Sequence, residues 1–335
     1  MILDTYFKDF LSNINLTKNQ ISRIKNAHET LRNRLKNDEE LSKYIIDTFL
    51  QGSYKRATAI RPKNGEKSDV DIVVVLNLNK DEIEPNKIFN LFENFLEKYY
   101  EDYEFNNKSI RITLSDVDID LVITLLDDFS TSFSKNFFNK NVITLMNENF
   151  NPKDYKKGYL YLPNTQENKW IKINPTAQII CTTSKNKKTN GIYIKVVKAI
   201  KWWQRLNYPD SHIKSYPLER LIFECCPNEI RNIGEGVLLT FKNMIKYEQK
   251  PYLKDFALET DVLENISYFE YSKFFSRAYE ASEISKQAYL EEDGDESIKL
   301  WKELFGNKFD NSDTTKNSGF TKPNKKADVP SGRFA

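Results

Sequence analysis

Two acidic runs carry the chemistry that this sequence could do. Asp69-Val70-Asp71 leads into the apolar run Ile72-Val73-Val74-Val75-Leu76, and Asp116-Val117-Asp118-Ile119-Asp120 leads into Leu121-Val122-Ile123. Side chains alternate faces along a strand, so Asp69 and Asp71 project to one side, about 7 Å apart at Cα. Carboxylates set side by side repel unless a cation stands between them, and a divalent metal is the usual answer. Upstream, a short apolar strand pattern from Thr48 ends on Gly52-Ser53. Glycine lets the backbone approach a ligand, and adjacent N–H groups with the Ser53 hydroxyl can hold phosphate oxygens. A phosphate cradle beside a metal-binding carboxylate pair is the equipment of nucleotidyl transfer. Taken singly, each piece has a plainer use, Asp-x-Asp being common on the wet face of a half-exposed sheet. The combination carries the reading.

On a regular strand Asp116, Asp118 and Asp120 all face one way. Either Asp118 or Asp120 completes a three-carboxylate site. Asp120 is preferred because the apolar run begins right after it, while strand register is not legible to one residue. Asp116 is expected to be solvated at the start of the strand.

The elements that must position these groups follow from periodicity. Thr17-x-x-Gln20 reads as a capping box, followed by a long amphipathic helix over about 18–37 that serves as a spine. Residues 81–102 give a helix behind the sheet, beginning near Pro85, and 110–114 a strand. Residues 127–169 read as an irregular crossover between lobes, in which a helix over 134–148 is expected. Helices are then expected over 193–206, from Ser215 as N-cap with Glu219 in the first turn, and over 229–245 and 261–290. Lys185-Asn186-Lys187-Lys188 reads as a solvated basic loop. Lys198 and Lys201 share a helix face, and from residue 306 onward the composition is too polar to bury a core.

At 335 residues the chain can hold two lobes, and 39% hydrophobic content, rich in Tyr and Phe, is within globular range. A formal charge of +2 gives no argument for nucleic acid. No apolar run reaches the roughly 20 residues of a membrane helix, and the first residues lack a signal-peptide pattern. A cytoplasmic protein, and a monomer, is expected. Three cysteines, Cys181, Cys225 and Cys226, form neither a disulfide framework nor a zinc spacing. Two histidines, His28 and His212, exclude a His-rich metal site, and His28 in its helix reads as structural.

Gln51-Gly52-Ser53-Tyr54-Lys55-Arg56, Thr58, Ile60-Arg61-Pro62 and then Asp69-Val70-Asp71-Ile72-Val73 resemble the bacterial cyclic-oligonucleotide synthases, the CD-NTase or SMODS family. These are relatives of cyclic GMP–AMP synthase and oligoadenylate synthase. Asp120-Leu121-Val122 resembles the family's third-carboxylate strand, and Trp170–Pro175 its lobe junction. Lys198-Ala199-Ile200-Lys201-Trp202-Trp203 resembles its basic helix, Ser215–Glu219 the next one, and Trp301–Phe309 its C-terminal ending. One departure stands after Val122, where members often carry Pro and this chain has Ile123-Thr124. Asp118 and Asp120 both stay open as the third carboxylate.

The resemblance implies an α+β, bilobal, polymerase-β-like fold: a mixed-sheet catalytic lobe with the spine helix over 1–165, a helical lobe over 166–309 and a flexible tail over 310–335. It implies nucleoside triphosphates as substrates, Mg²⁺ or Mn²⁺ as cofactor and a cyclic di- or trinucleotide as product. It also implies anti-phage (CBASS) signalling through a separate effector, and a regulatory or conjugating partner at the tail. Asp69, Asp71 and Asp120 would be catalytic metal ligands. Gln51, Gly52, Ser53, Lys198, Lys201 and Ser215 would bind nucleotide. Two rivals remain: another polymerase-β-like transferase acting on RNA, a small molecule or a protein, and a non-catalytic nucleotide-binding scaffold.

Overall fold

The structure, a computed structural model, describes residues 2–63, 65–126, 159–207 and 213–309. The helix expected over 134–148 and the tail over 310–335 lie outside them. The chain forms two compact units, one of Leu16–Ser184 with Phe256–Glu259, the other of Met1–Asn15, Lys185–Asp255 and the chain from Thr260 on. The division thus falls at residue 184 rather than 165, and the first fifteen residues belong with the helical unit.

The first unit is built on one mixed sheet. Its strands are β1 (Ile45–Gln51), β2 (Ser68–Leu76), β3 (Tyr103–Phe105), β4 (Ile110–Thr113), β5 (Val117–Leu126), β6 (Leu160–Asn164) and β7 (Lys169–Ile173). The spatial order is β1-β2-β5-β4-β3, with β6 paired to the far end of β5 and β7 to β6. Among the described residues only β2 and β5 run parallel; every other pair is antiparallel.

Alternation divides the sheet into two unlike faces. Val70, Ile72, Val74 and Leu76 of β2, with Ile119, Leu121, Ile123 and Leu125 of β5, pack under Ile24, Leu31 and Leu35 of the spine helix, Lys18–Asn37. The expected Thr17–Gln20 capping box is formed at its start. Beside the spine lies the segment predicted as one helix over 81–102. It is a 3-10 turn over Pro85–Phe92 followed by an α-helix over Glu93–Tyr99. Both pieces drive Ile88, Phe89, Phe92, Phe95 and Leu96 into the same core. The opposite face carries aspartates where β2 and β5 begin and a smaller core of Phe49, Val73, Val75, Val122 and Leu126 further along. Thr124 stays buried there by donating to the Val74 carbonyl at 2.9 Å, which satisfies the hydroxyl.

The second unit is helical. Its first helix, Asp4–Ile14, sends Phe7 and Phe10 against Trp301, Phe305 and Phe309, the C-terminal run singled out in the sequence. Further helices span Ile192–Asn207, Ser215–Cys225, Ile233–Met244, Tyr268–Leu290 and Gly294–Phe305. Lys185–Lys188 is not a solvated loop but the last turn of the helix Pro175–Lys188. Cations suit a helix C-terminus, and buried Lys185 sets its ammonium over the Tyr193 and Phe223 rings while donating to the Phe223 carbonyl.

Candidate active site

β1 ends at Gln51 and turns at once into a short helical turn, Gly52–Lys55. Gly52 takes φ 71°, and a Cβ on it would lie 1.7 Å from Asp71 Oδ2. No L side chain fits, so the turn and the carboxylate are in direct contact. The turn is pinned from behind: Arg56 N–H donates to the Gly52 carbonyl, and Thr58 and Ala59 N–H both donate to the Ser53 carbonyl. Those bonds leave the Ser53 hydroxyl outside them.

Strand register assembles the rest. Asp71 stands opposite Gln51 on one side and beside Asp120 on the other, and Asp120 in turn faces Arg111 of β4. One row across four strands therefore reads Gln51, Asp71, Asp120, Arg111. A second row reads Asp69, Asp118, Thr113. Four carboxylates share the face. Asp116 precedes β5 and is half exposed, paired with Arg23 of the spine helix.

Arg111 forks onto Asp120, with Nη2 to Oδ2 at 2.9 Å and Nε to Oδ1 at 3.2 Å. Its nitrogens also come within 3.7 Å of Asp69 and 3.6 Å of Asp118. Burial, with the Asp120 charge next, pushes the Asp71 carboxyl up to about 6, against the pull of Arg56. Burial raises Asp69 as well; Arg111 opposes the shift, and Asp120 and Asp118 add to it. The fork onto Asp120 holds the Arg111 guanidinium more firmly protonated than usual. Asp118 Oδ1 is buried with no hydrogen-bond partner, and the Lys67 ammonium is 4.0 Å away.

An all-carboxylate donor set, strained by its own charge and with one orphaned oxygen, suits a hard divalent cation in kind. As placed, no three His, Cys, Asp or Glu side chains among the described residues converge closely enough to hold one. Arg111 stands among them instead.

Lys198, Lys201 and Ser215 belong to the helical unit. Lys201 is buried and paired with buried Glu219 at 2.8 Å, and half-buried Lys198 donates to Asn15 at 2.7 Å. Ser215 is not an N-cap. Leu218 N–H is bonded to the Lys214 carbonyl, so the helix begins one residue earlier and Ser215 is its exposed first residue.

Comparison with known proteins places the chain in a family. The family model of the Second Messenger Oligonucleotide or Dinucleotide Synthetase (SMODS) domain matches residues 1–135. The cyclic AMP-AMP-GMP synthase of Enterobacter hormaechei subsp. hoffmannii is 35% identical, with all of both chains covered. The chain belongs to the SMODS family. A probable cyclic AMP-AMP-GMP nucleotide synthase of Salmonella paratyphi B is 36% identical, again over both whole chains. The Vibrio cholerae cyclic AMP-GMP synthase, solved with a linear intermediate, shares the fold at a TM-score of 0.68. It is 16% identical, with 92% of this chain and 96% of that one covered. This SMODS chain is thus a nucleotidyltransferase of the cyclic-oligonucleotide synthase class.

Two residues at its carboxylate face escaped the sequence reading. Arg111 passed as an ordinary strand residue, although Ser115-Asp116 at the hairpin tip sets it opposite Asp120. Buried Arg56, whose charge reaches Asp71, enters the sequence reading only as part of the Gln51–Arg56 motif.

Proposed function

We propose that this chain joins ATP and GTP into a cyclic trinucleotide at the carboxylate face, with Asp69, Asp71 and Asp120 as its catalytic acids. The observation that carries the site assignment is the contact of Gly52 with Asp71 in a row that continues directly to Asp120. That row favours Asp120 over Asp118, which sits beside Asp69 one step nearer the start of the strand. The adenine and guanine preference, and the ring of three, are carried over from the products for which the relatives are named.

The Gln51–Ser53 segment would receive the β- and γ-phosphates of the donor, since a glycine with no room for a side chain brings backbone N–H groups up to a ligand. A ribose hydroxyl attacks the α-phosphorus, pyrophosphate leaves, and repetition followed by internal attack closes the ring. Asp69, Asp71 and Asp120 would hold Mg²⁺ or Mn²⁺, which when bound lowers the pKa of the attacking hydroxyl and balances charge on the triphosphate. Lys201, committed to Glu219, is left to the helical unit's own architecture.

The product would act on a separate effector in anti-phage signalling within the cytoplasm, and a regulatory or conjugating partner would grip residues 310–335. Among the described residues, no helix is long and apolar enough to cross a membrane.

Incubation of the purified protein with all four triphosphates and Mg²⁺, followed by mass spectrometry, tests the activity. A phosphatase-resistant cyclic product of adenine and guanine nucleotides is expected. Nucleotide transfer only to an added RNA, small molecule or protein would favour another transferase. Unconsumed triphosphates would favour a binding scaffold.

A further inference from the structure

We infer that Arg111 is a resident counter-cation of the catalytic carboxylates, one that a divalent metal must displace from Asp120 before the site is complete. The inference rests on the carboxylates being the metal site, as proposed above. Four aspartates on one strongly apolar sheet need compensation by positive charge, and one guanidinium faces three of them. It engages both oxygens of Asp120 and lies within 4 Å of Asp69 and Asp118. Lys67, at 4.0 Å from Asp118, and Arg56, acting on Asp71, add positive charge close by.

The strand gives Arg111 this place and lets it leave. Ile110 and Ile112 on either side are fully buried on the opposite face and fix the β4 backbone, while the Arg111 side chain is one-third exposed. The guanidinium can swing to water without moving the strand. Staying where it is, it opposes the metal. A dication brought to Asp120 would sit within a few ångströms of another full charge, and like charges at that range repel even at the effective dielectric of a protein surface. With the guanidinium among them, no three of these side chains converge on an ion among the described residues. Metal and guanidinium therefore compete for one carboxylate.

Mn²⁺ binding to the full chain at pH 8 without nucleotide, followed by electron paramagnetic resonance, tests this independently of turnover. Arg111→Gln should bind Mn²⁺ about ten- to a hundredfold more tightly than wild type, the range expected from losing charge-assisted hydrogen bonds. Its metal-free melting temperature should fall, and the rise on adding Mn²⁺ should exceed that of wild type. Arg111→Lys, a point charge without the fork, should fall between the two. It also serves as the decisive variant should Arg111→Gln not fold. Mn²⁺ affinity equal to or weaker than wild type in the folded variant would overturn the inference. Asp71→Asn separates it from the reading beneath: Mn²⁺ affinity undiminished in Asp71→Asn would remove the metal site itself. Affinity lost there but unchanged in the Arg111 variants would remove only the role of Arg111.

Discussion

The carboxylate face of the sheet and the basic helix Ile192–Asn207 hold charge in opposite ways. On the sheet, three acids, Asp69, Asp118 and Asp120, share one arginine, Asp118 keeps an orphaned oxygen, and Asp71 is pushed up to about 6 by burial and its neighbour. On the helix, Lys201 meets a single buried Glu219 at 2.8 Å and Lys198 meets Asn15, so each cation has its own polar partner. The first arrangement is an unfinished account of charge that a ligand could complete. The second is settled within the protein. Perturbed groups whose neighbours leave charge unbalanced mark chemistry, while matched buried pairs mark architecture.

The largest test of that contrast is the double substitution Asp69→Asn with Asp71→Asn. Product formation should fall by at least about a thousandfold, more than the ten- to hundredfold typical of losing an outer-shell partner. The metal-free melting temperature should hold or rise, because apposed charges are removed. Turnover near wild type in the folded double variant would end the assignment. Gly52→Ala comes next. Its Cβ would collide with the Asp71 carboxylate and its φ would be strained, so turnover measured by product mass should drop about a hundredfold, as for a misplaced catalytic group.

Lys201→Met addresses the other region. Taking the ammonium away from buried Glu219 should cost about 3–5 kcal/mol in chemical denaturation, and adding Glu219→Leu should recover most of it. A stable Lys201→Met protein that has lost turnover would place this helix in the nucleotide site and dissolve the contrast. The smallest effect is one of pH. The Asp71 carboxyl lies at about 6 in the fold against 3.8 unfolded, so between those values the fold binds the extra proton and stability falls as pH rises. Asp71→Asn removes that penalty. Its melting temperature without metal should exceed wild type at pH 7.5, and the margin should shrink as pH falls through 6 towards 4. A margin that does not change with pH would mean that Asp71 is not desolvated.

Much of the carboxylate face was legible because it is local. Asp69 and Asp71 needed only strand alternation, and the capping box at Thr17 only four residues. The choice between Asp118 and Asp120 was not legible, since β2 and β5 are parallel and no short turn fixes their register. Arg111 was within reach: Thr113 opposite Asp118 and Arg111 opposite Asp120 follow from counting outward from the Ser115-Asp116 turn. The burial of Lys185 and Lys201 was not, because a basic residue on an amphipathic helix looks solvated until its partner from a distant helix is known. Ser215 misled for a backbone reason, the Lys214 carbonyl having already taken the Leu218 N–H.

Turnover of Asp120→Asn and Asp118→Asn, prepared and assayed side by side with ATP, GTP and Mg²⁺, tests the central claim most directly. Asp120 adjoins Asp71 in the row that touches Gly52, so its substitution should reduce cyclic product to background. Asp118→Asn, one step nearer the start of the strand, should retain measurable synthesis. An inactive Asp118→Asn beside an active Asp120→Asn would contradict the account, and full activity in both would show that the chemistry lies elsewhere.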